Sequence, residues 1–261
     1  METNIGKNWI SYPKAIEAIS ILTDLKNHHK MNRMPNILIY GETNNGKTEL
    51  LKHFCELHPP QLNPLVDNIK YPVLYTECCV SPDENRIYNF ILDALNIHYK
   101  QYSSIDQRKS KVIGALKAIN CELLIIDEIQ HILTSSALKQ RTSMTTIKTL
   151  SNSLKIPIVL AGTQDALRVV HTDKQLKNRF PAYLIPVWKR NNDYIQLIAS
   201  FIKSFTNSNC EYKITIEFAT AVHQKSEGIL GMTSKIIEKC LINSPDELVP
   251  ELISDDIFYR P

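Results

Sequence analysis

Residues 40–50 read YGETNNGKTEL and match the phosphate-loop pattern GxxxxGKT. An apolar run, NILIY at residues 36–40, precedes the pattern, and a helix-forming stretch, TELLKHF, follows it. Successive backbone N–H groups between a strand and the start of a helix can bind phosphate oxygens. In this pattern Lys47 is predicted to contact the β- and γ-phosphates of ATP, and the Thr48 hydroxyl is predicted to bind Mg²⁺.

The other residues of the loop are predicted to hold the nucleotide mainly through their backbone. Gly41 is expected to allow a tight turn out of the strand, and Gly46 to let the backbone approach the phosphates without a side chain in the way. The four variable positions are Glu42, Thr43, Asn44 and Asn45. We therefore predict that the whole stretch from Gly41 to Thr48 binds ATP.

Short apolar runs alternate with stretches of helical spacing, and each run is predicted to be a strand buried on both faces. The runs are residues 36–40, 72–76, 122–127, 157–162 and 182–187. The helical stretches between them are residues 48–58, 84–95, 107–119, 141–154 and 164–168, and a further helix precedes the first strand. Strands that alternate with helices form right-handed crossovers in a parallel sheet. We expect an α/β fold whose five-stranded parallel sheet carries helices on both faces.

The chain beyond Trp188 has a different pattern. Apolar residues recur at helical spacing from Tyr194 to Phe205, and further helical stretches follow at residues 216–226 and 233–243. The pattern predicts a small α-helical domain of about three helices. The predicted domains are an N-terminal helical extension packing on the core, an α/β nucleotide-binding core and a helical lid, at residues 1–34, 35–189 and 190–261.

An acidic pair, Asp127 and Glu128, stands at the end of the third apolar run, in LLIIDE. Asp127 is predicted to hold the metal through water, and Glu128 to polarise the water that attacks the γ-phosphate. A helix N-cap is the alternative explanation for such a pair when it stands alone. The phosphate loop upstream favours the functional interpretation, because a nucleotide site needs both parts.

Two further residues complete the predicted site. Thr163 follows the fourth apolar run, at the end of a strand where parallel sheets bind ligands, and is predicted to sense the γ-phosphate or the attacking water. It could equally be the N-cap of the next helix. Arg179 precedes the fifth run and is predicted to reach a neighbouring subunit's nucleotide as an arginine finger, with a plain surface arginine as the alternative.

Composition limits the class of protein. The chain has 261 residues, 43% of them hydrophobic, enough for one large or two modest domains with a buried core. No apolar stretch is long enough to span a membrane, and we expect a soluble cytoplasmic protein without a targeting segment. A net charge of +3 permits DNA binding but does not argue for it. The six cysteines, none at CxxC spacing, are expected to be reduced thiols in core elements, which is favoured over a metal or redox role for Cys78 and Cys79.

Four segments carry a resemblance to a known family. They are RMPNILIYGETNNGKTEL at residues 33–50, LLIIDEIQHIL at 123–133, LSNSLKIPIVLAGTQDAL at 150–167 and DKQLKNRFPAYLIPVW at 173–188. Their order resembles that of AAA+ ATPases, and more narrowly that of the TniB/TnsC family of transposition regulators. The resemblance covers nearly the whole chain and implies an AAA+ core followed by a small helical lid.

The resemblance implies an ATP-dependent regulator of DNA transposition, with ATP and Mg²⁺ as cofactors. Such proteins assemble on duplex target DNA as a ring or helical filament and link a TniQ-like targeting protein to a DDE transposase. ATP hydrolysis, stimulated by DNA or a partner, then drives disassembly. The family's nucleotide residues match here at Gly41, Gly46, Lys47, Thr48, Asp127, Glu128, Thr163 and Arg179. AAA+ proteins often carry an arginine on a lid helix that senses the γ-phosphate, but the corresponding segment here, GILGMTSKI at residues 228–236, has no arginine, and Lys235 is its basic residue.

Basic residues in the segments that lead to LLIID are candidates for DNA contact. They are Arg86, Lys100, Arg108, Lys109 and Lys111. The resemblance implies that this part of an AAA+ ring faces a central pore, although lysine and arginine most often do no more than solvate a surface.

Two other functions remain open from the sequence. A helicase loader or origin-recognition ATPase would share these motifs and bind a replicative helicase instead of a transposase. An adaptor with a structural nucleotide and negligible turnover is the other, although Glu128 argues against it. No DDE carboxylate set is recognisable, so strand transfer would belong to another polypeptide.

Overall fold

The computed structural model describes residues 9–63, 68–171, 174–206, 214–244 and 248–253. In chain order its strands are β1 (Ile37–Gly41), β2 (Gln61–Asn63), β3 (Asn68–Lys70), β4 (Val73–Glu77), β5 (Leu123–Asp127), β6 (Ile158–Gly162) and β7 (Ala182–Ile185). Its helices are α1 (Pro13–Lys26), α2 (Lys47–Glu56), α3 (Glu84–Ala94), α4 (Ile105–Ala118), α5 (Ala137–Leu154), α6 (Ala166–His171), α7 (Lys174–Lys177), α8 (Asn192–Thr206), α9 (Ile216–Ser226) and α10 (Leu230–Asn243), with 3-10 helices at Ile129–Thr134 and Pro250–Leu252.

Five of the strands form one parallel sheet, in the order β4-β5-β6-β1-β7. The central strands β5 and β6 are buried along their whole length, as expected for parallel strands covered on both faces. Because all the strands run the same way, the carboxyl ends of β1, β5 and β6 share one edge of the sheet. The predicted α/β fold with a five-stranded parallel sheet is confirmed.

The strand β7 differs from the sequence prediction, which had it buried on both faces. It pairs with β1 and forms an edge of the sheet, and Leu184 is 43% exposed. Pro186, which has no backbone N–H to donate, follows its last residue. The antiparallel hairpin of β2 and β3 was not predicted, since strands of three residues are too short to show a periodic pattern.

Local capping explains where the helix before β5 begins. The sequence predicted a start at residue 107, and α4 begins at Ile105. The Ser104 side chain accepts a hydrogen bond from the Gln107 backbone N–H, and the Gln107 side chain accepts one from the Ser104 backbone N–H. This capping box satisfies two N–H groups that a helix start would otherwise leave unpaired.

The chain divides into two compact units. The sheet unit holds residues 17–41 and 47–185, while the helical unit holds residues 42–46, the residues from Pro186 onward and the N-terminal residues up to Ile16. The predicted domain boundaries, at 34/35 and 189/190, stay predictions.

The helical unit has a core of its own, formed by α8, α9 and α10. The Tyr194 ring is fully buried in that core, and its hydroxyl lies 3.0 Å from Ser226 Oγ and 2.9 Å from Thr233 Oγ1. These bonds satisfy the tyrosine oxygen and link all three helices. The predicted helical C-terminal region is confirmed. None of the helices in the described part of the chain is long and apolar enough to cross a membrane.

Candidate nucleotide-binding site

The start of α2 and the end of β5 place two predicted metal-binding side chains together. Thr48 Oγ1 donates a hydrogen bond to Asp127 Oδ2 over 2.7 Å. Asp127 is fully buried at the last position of β5. A hydroxyl and a carboxylate are the oxygen ligands that Mg²⁺ prefers, usually with substrate phosphates and water filling its other positions.

Tyr75 is a further member of this cluster that the sequence did not reveal. Its hydroxyl lies 3.1 Å from Asp127 Oδ2 and 2.9 Å from Glu77 Oε1. Burial, followed by the charge of Asp127 and the hydrogen bond to Glu77, raises the pKa of Tyr75 well above its usual value. The phenol therefore stays protonated and donates. Only the pairing of β4 with β5 brings these groups together, with Glu77 opposite Asp127.

The predicted phosphate-binding lysine begins α2. Lys47 is 6% exposed, and its Nζ donates to the Gly41 carbonyl oxygen over 3.0 Å. Gly41 was expected to serve a tight turn. Its actual constraint is steric, since a Cβ there would lie 2.4 Å from the Ile185 carbonyl oxygen of β7. Glycine at this position thus lets two neighbouring strands approach.

The loop residues between Gly41 and Lys47 belong to the helical unit. Gly46 has a φ of +78°, which glycine adopts without strain. Asn45 is buried: its Nδ2 donates to the Pro186 carbonyl oxygen over 3.0 Å, and its Oδ1 accepts from the Leu230 N–H over 3.1 Å. The side chain of Asn45 is therefore engaged in the fold, whereas the sequence predicted a role mainly for its backbone. The remaining loop residues, Glu42, Thr43 and Asn44, are exposed, and so is Lys235 on α10.

Glu128 follows β5 in a left-handed conformation, with a φ of 56°. Its backbone N–H donates to Asp127 Oδ1 over 2.8 Å. Its carboxylate accepts a hydrogen bond from the side-chain amide of Gln130, whose Oε1 accepts from the Thr163 backbone N–H over 3.2 Å. The structure thus joins two predicted site residues through a third that the sequence did not single out. Gln130 lies in the IQHIL segment, which carries the family resemblance, but its contacts with Glu128 and Thr163 form only in the folded chain.

Arg179 lies against α5. One guanidinium nitrogen donates to Asn152 Oδ1 over 2.8 Å, and the other lies 3.5 Å from the Lys148 carbonyl oxygen. Burial and then the nearby charge of Arg33 lower the pKa of Arg179. Its predicted role toward a neighbouring subunit stays a prediction.

Among the candidate DNA contacts, Arg108 is 6% exposed. Its guanidinium donates to the Gln101 carbonyl oxygen over 2.6 Å and to Asn89, and it lies 5.3 Å from the centre of the Tyr99 ring. A phosphate could reach this group only by displacing these contacts. Arg108 therefore stabilises the loop before α4, and we do not retain it as a DNA contact.

The other basic candidates are more accessible. Arg86 is exposed and donates to the Val80 carbonyl oxygen over 2.9 Å, while Lys111 donates to the His98 carbonyl oxygen. Lys100 is exposed and Lys109 is half-buried. DNA contact by these four side chains stays a prediction.

The described cysteines are free thiols. Cys78, Cys121 and Cys240 are buried, and Cys55 and Cys79 are half-buried, whereas Cys210 lies outside the described residues. Burial raises the pKa of Cys121 to about 12 and that of Cys240 to about 11. In the part of the chain that the structure describes, no group of three or more His, Cys, Asp or Glu residues could hold a metal ion.

The family model described as "Bacterial TniB protein" matches residues 4–190. The chain belongs to the TniB family. The family prediction made from the four sequence segments is confirmed. No curated protein matches this TniB-family chain.

Solved structures resemble this TniB-family protein in fold. The Aeropyrum pernix ORC2 protein in its ADPNP-ADP complexes has a TM-score of 0.66 at 14% identity, covering 100% of this chain and 71% of its own. Domain III of the Thermotoga maritima replication initiation protein DnaA has a TM-score of 0.57 at 16% identity, covering 96% of both chains. The Aeropyrum pernix ORC1 protein in complex with DNA has a TM-score of 0.63 at 13% identity, covering 92% of this chain and 62% of its own. These similarities show the α/β P-loop fold of AAA+ ATPases.

Proposed function

We propose that this TniB-family protein is an ATP-dependent regulator of DNA transposition. In this proposal it oligomerises on duplex target DNA as a ring or helical filament and links a TniQ-like targeting protein to a DDE transposase. ATP hydrolysis, stimulated by DNA or a partner, drives disassembly. The 2.7 Å pairing of Thr48 with Asp127, within a P-loop fold, carries the nucleotide part of the proposal. Membership of the TniB family supports the transposition part.

The side chains at this edge of the sheet fit a Mg·ATP complex. Thr48 and Asp127 offer oxygen ligands, and the Lys47 ammonium stands at the N-terminus of α2, where the helix dipole adds positive potential. Bound Mg²⁺ would neutralise charge on the β- and γ-phosphates. The Tyr75 hydroxyl donates to the Asp127 carboxylate and so orients it.

For hydrolysis, we propose Glu128 as the group that accepts a proton from the attacking water. Glu128 is half-buried, it directly follows Asp127, the proposed metal ligand, and its carboxylate accepts a hydrogen bond from the Gln130 amide. Thr163, after β6, is proposed to contact the γ-phosphate or the water. Arg179 is proposed to act on a neighbouring subunit's nucleotide, which would make assembly and hydrolysis interdependent.

For DNA contact, we propose Lys100, Lys109, Arg86 and Lys111, the four basic candidates that are not buried. A solved structure of the same fold, that of the Aeropyrum pernix ORC1 protein, is in complex with DNA. Removing the charges of Lys100 and Lys109 should weaken duplex binding and reduce its dependence on salt, because each phosphate contact releases counterions.

One experiment tests the whole proposal. The purified protein is mixed with ATP, Mg²⁺ and duplex DNA, and oligomers are followed by light scattering while phosphate release is measured. Glu128→Gln should still bind ATP and assemble but hydrolyse about 100-fold to 10,000-fold more slowly, because the general base is lost. Lys47→Ala should lose binding, assembly and hydrolysis together.

The other outcomes of that experiment have distinct meanings. Absence of ATP-dependent oligomers on duplex DNA contradicts the assembly part of the proposal. Binding to a replicative helicase and not to a transposase selects the helicase-loader function. ATP binding with no turnover in the presence of DNA and partners selects the adaptor.

A further inference from the structure

The side-chain amide of Gln130 bridges two strand ends of the sheet unit. Gln130 lies in the 3-10 helix Ile129–Thr134 that follows β5. Its Nε2 donates to Glu128 Oε2, and its Oε1 accepts from the backbone N–H of Thr163, which follows β6, over 3.2 Å. One planar group therefore connects the proposed general base to the backbone of the proposed γ-phosphate sensor.

The chemistry of the two partners fixes the orientation of this amide. A carboxylate oxygen can only accept, so it must face the NH₂ group of the glutamine. A backbone N–H can only donate, so it must face the amide oxygen. Exchanging the amide oxygen and nitrogen would place two acceptors together and two donors together. The observed orientation is therefore the one that satisfies both partners.

Gly162, the last residue of β6, provides the space that this amide occupies. A Cβ on Gly162 would lie 2.2 Å from Gln130 Oε1 and 3.0 Å from the Ala166 Cβ. The φ of Gly162 is not positive, so its backbone does not require glycine. Glycine is needed at this position because the Gln130 amide approaches it so closely.

We propose that Gln130 is a positioning residue that orients the Glu128 carboxylate for attack by water and couples this orientation to the backbone at Thr163. The inference rests on the proposed ATPase function and deepens it. The Glu128 backbone is left-handed, an uncommon conformation for a residue other than glycine, and its carboxylate accepts a hydrogen bond from the Gln130 amide. This hydrogen bond gives the carboxylate a defined direction. A shift of the β6 end toward or away from the nucleotide would move the amide and with it the carboxylate.

The substitutions that test this inference separate shape from hydrogen bonding. Gln130→Ala removes both contacts. Gln130→Glu keeps the length and shape and can still accept from the Thr163 N–H, but it places a second carboxylate against Glu128. Both variants should lower kcat by about tenfold or more at saturating duplex DNA, since a hydrogen bond to a charged group is lost. The Kd for a fluorescent ATP analogue should stay within about twofold of wild type, because neither contact involves the phosphate loop.

Gly162→Ala attacks the same contact from the other side. It should lower kcat by displacing the amide, and in the Gln130→Ala background it should lower kcat much less, because only the 3.0 Å approach to the Ala166 Cβ then remains. Such non-additivity is the mark of two residues that act through one contact. The matched control is Gln140→Ala, because the Gln140 amide donates to the carbonyl oxygens of Leu133 and Ser135 and contacts no proposed site residue. It should leave kcat unchanged.

The results distinguish this inference from the function on which it rests. Wild-type turnover that falls in Glu128→Gln supports the ATPase. If Gln130→Glu then turns over at the wild-type rate, or if the effects of Gly162→Ala and Gln130→Ala simply multiply, the positioning role is overturned while the ATPase stands. If kcat and ATP affinity fall together in a variant that is folded by circular dichroism, Gln130 is structural and the inference is also overturned. A wild-type protein without turnover overturns both.

Discussion

The Thr48 hydroxyl donates to the Asp127 carboxylate over 2.7 Å and so connects the start of α2 to the end of β5. These residues lie far apart in sequence, and their contact follows from the strand order, which places β5 two strands from β1. The same carboxylate accepts from Tyr75 Oη at 3.1 Å. Asp127 is thus held from two sides in a fully buried position.

Replacing Thr48 by alanine should weaken Mg²⁺-dependent ATP binding by about tenfold, because a hydroxyl that bonds a charged group is lost. Titration of a fluorescent ATP analogue with and without Mg²⁺ measures the effect. Thr48→Ser keeps the hydroxyl and is the matched control. Equal affinities for the alanine and serine variants would show that the hydroxyl has no part in metal binding.

Arg179→Ala should lower ATP hydrolysis by about 1,000-fold or more with little change in ATP binding, if its guanidinium stabilises the transition state. Arg168→Ala is the matched control, because Arg168 is a surface arginine, with a side chain that is 75% exposed. Phosphate release with saturating duplex DNA is the measurement.

A mixing experiment tests whether Arg179 acts on a neighbouring subunit. Arg179→Ala lacks the arginine but retains Glu128, and Glu128→Gln lacks the general base but retains Arg179. Each variant alone should therefore be inactive. Mixed oligomers should regain part of the activity, because a Glu128→Gln subunit can supply its arginine to an Arg179→Ala subunit. If the mixture is as inactive as each variant alone, Arg179 does not act on a neighbouring subunit's nucleotide.

Asn45→Ala should lower the free energy of unfolding by about 1–3 kcal/mol, because the Leu230 N–H and the Pro186 carbonyl oxygen would lose a buried partner. The shift of the urea midpoint at constant slope measures this change. Thr43→Ala, in the same loop but exposed, should leave the midpoint unchanged. Equal midpoints for both variants would show that the Asn45 contacts contribute nothing to stability.

Glu122 should make the free energy of unfolding depend on pH in the acidic range. Burial would raise the pKa of Glu122, but the hydrogen bond from Lys70 at 2.7 Å and the charge of Lys26 at 3.4 Å lower it on balance. Since the pKa of Glu122 is lower in the folded chain, its stabilisation is present above the unfolded value of about 4.3 and is lost as pH falls through the folded value.

Glu122→Gln should therefore lower the free energy of unfolding at pH 7 by at most about 1 kcal/mol, because the side chain is 32% exposed and solvent screens its ion pairs. The difference from wild type should vanish well below pH 4. Urea unfolding at a series of pH values is the measurement, and Asp24→Asn on the exposed face of α1 is the control. A difference that persists at low pH would assign the effect to packing and not to charge.

Sequence pattern alone was enough for the fold class and for the motifs that suggest nucleotide binding. The phosphate loop is a run of adjacent residues between a strand and a helix, and LLIIDE is a strand with its acidic end attached, so each is visible as local order. The same holds for the helical C-terminal region, whose apolar spacing is periodic. The edge position of β7 was missed, because its residues are as apolar as those of a central strand.

Tertiary structure decided everything that depends on which strand lies beside which. Tyr75 meets Asp127 because β4 pairs with β5, and Gln130 meets Thr163 because β5 pairs with β6. Arginine is usually a surface residue, but Arg108 is buried and donates to a carbonyl oxygen of the loop before α4. A linear pattern records periodicity and neighbours along the chain, whereas strand pairing and side-chain burial arise only when distant segments pack together.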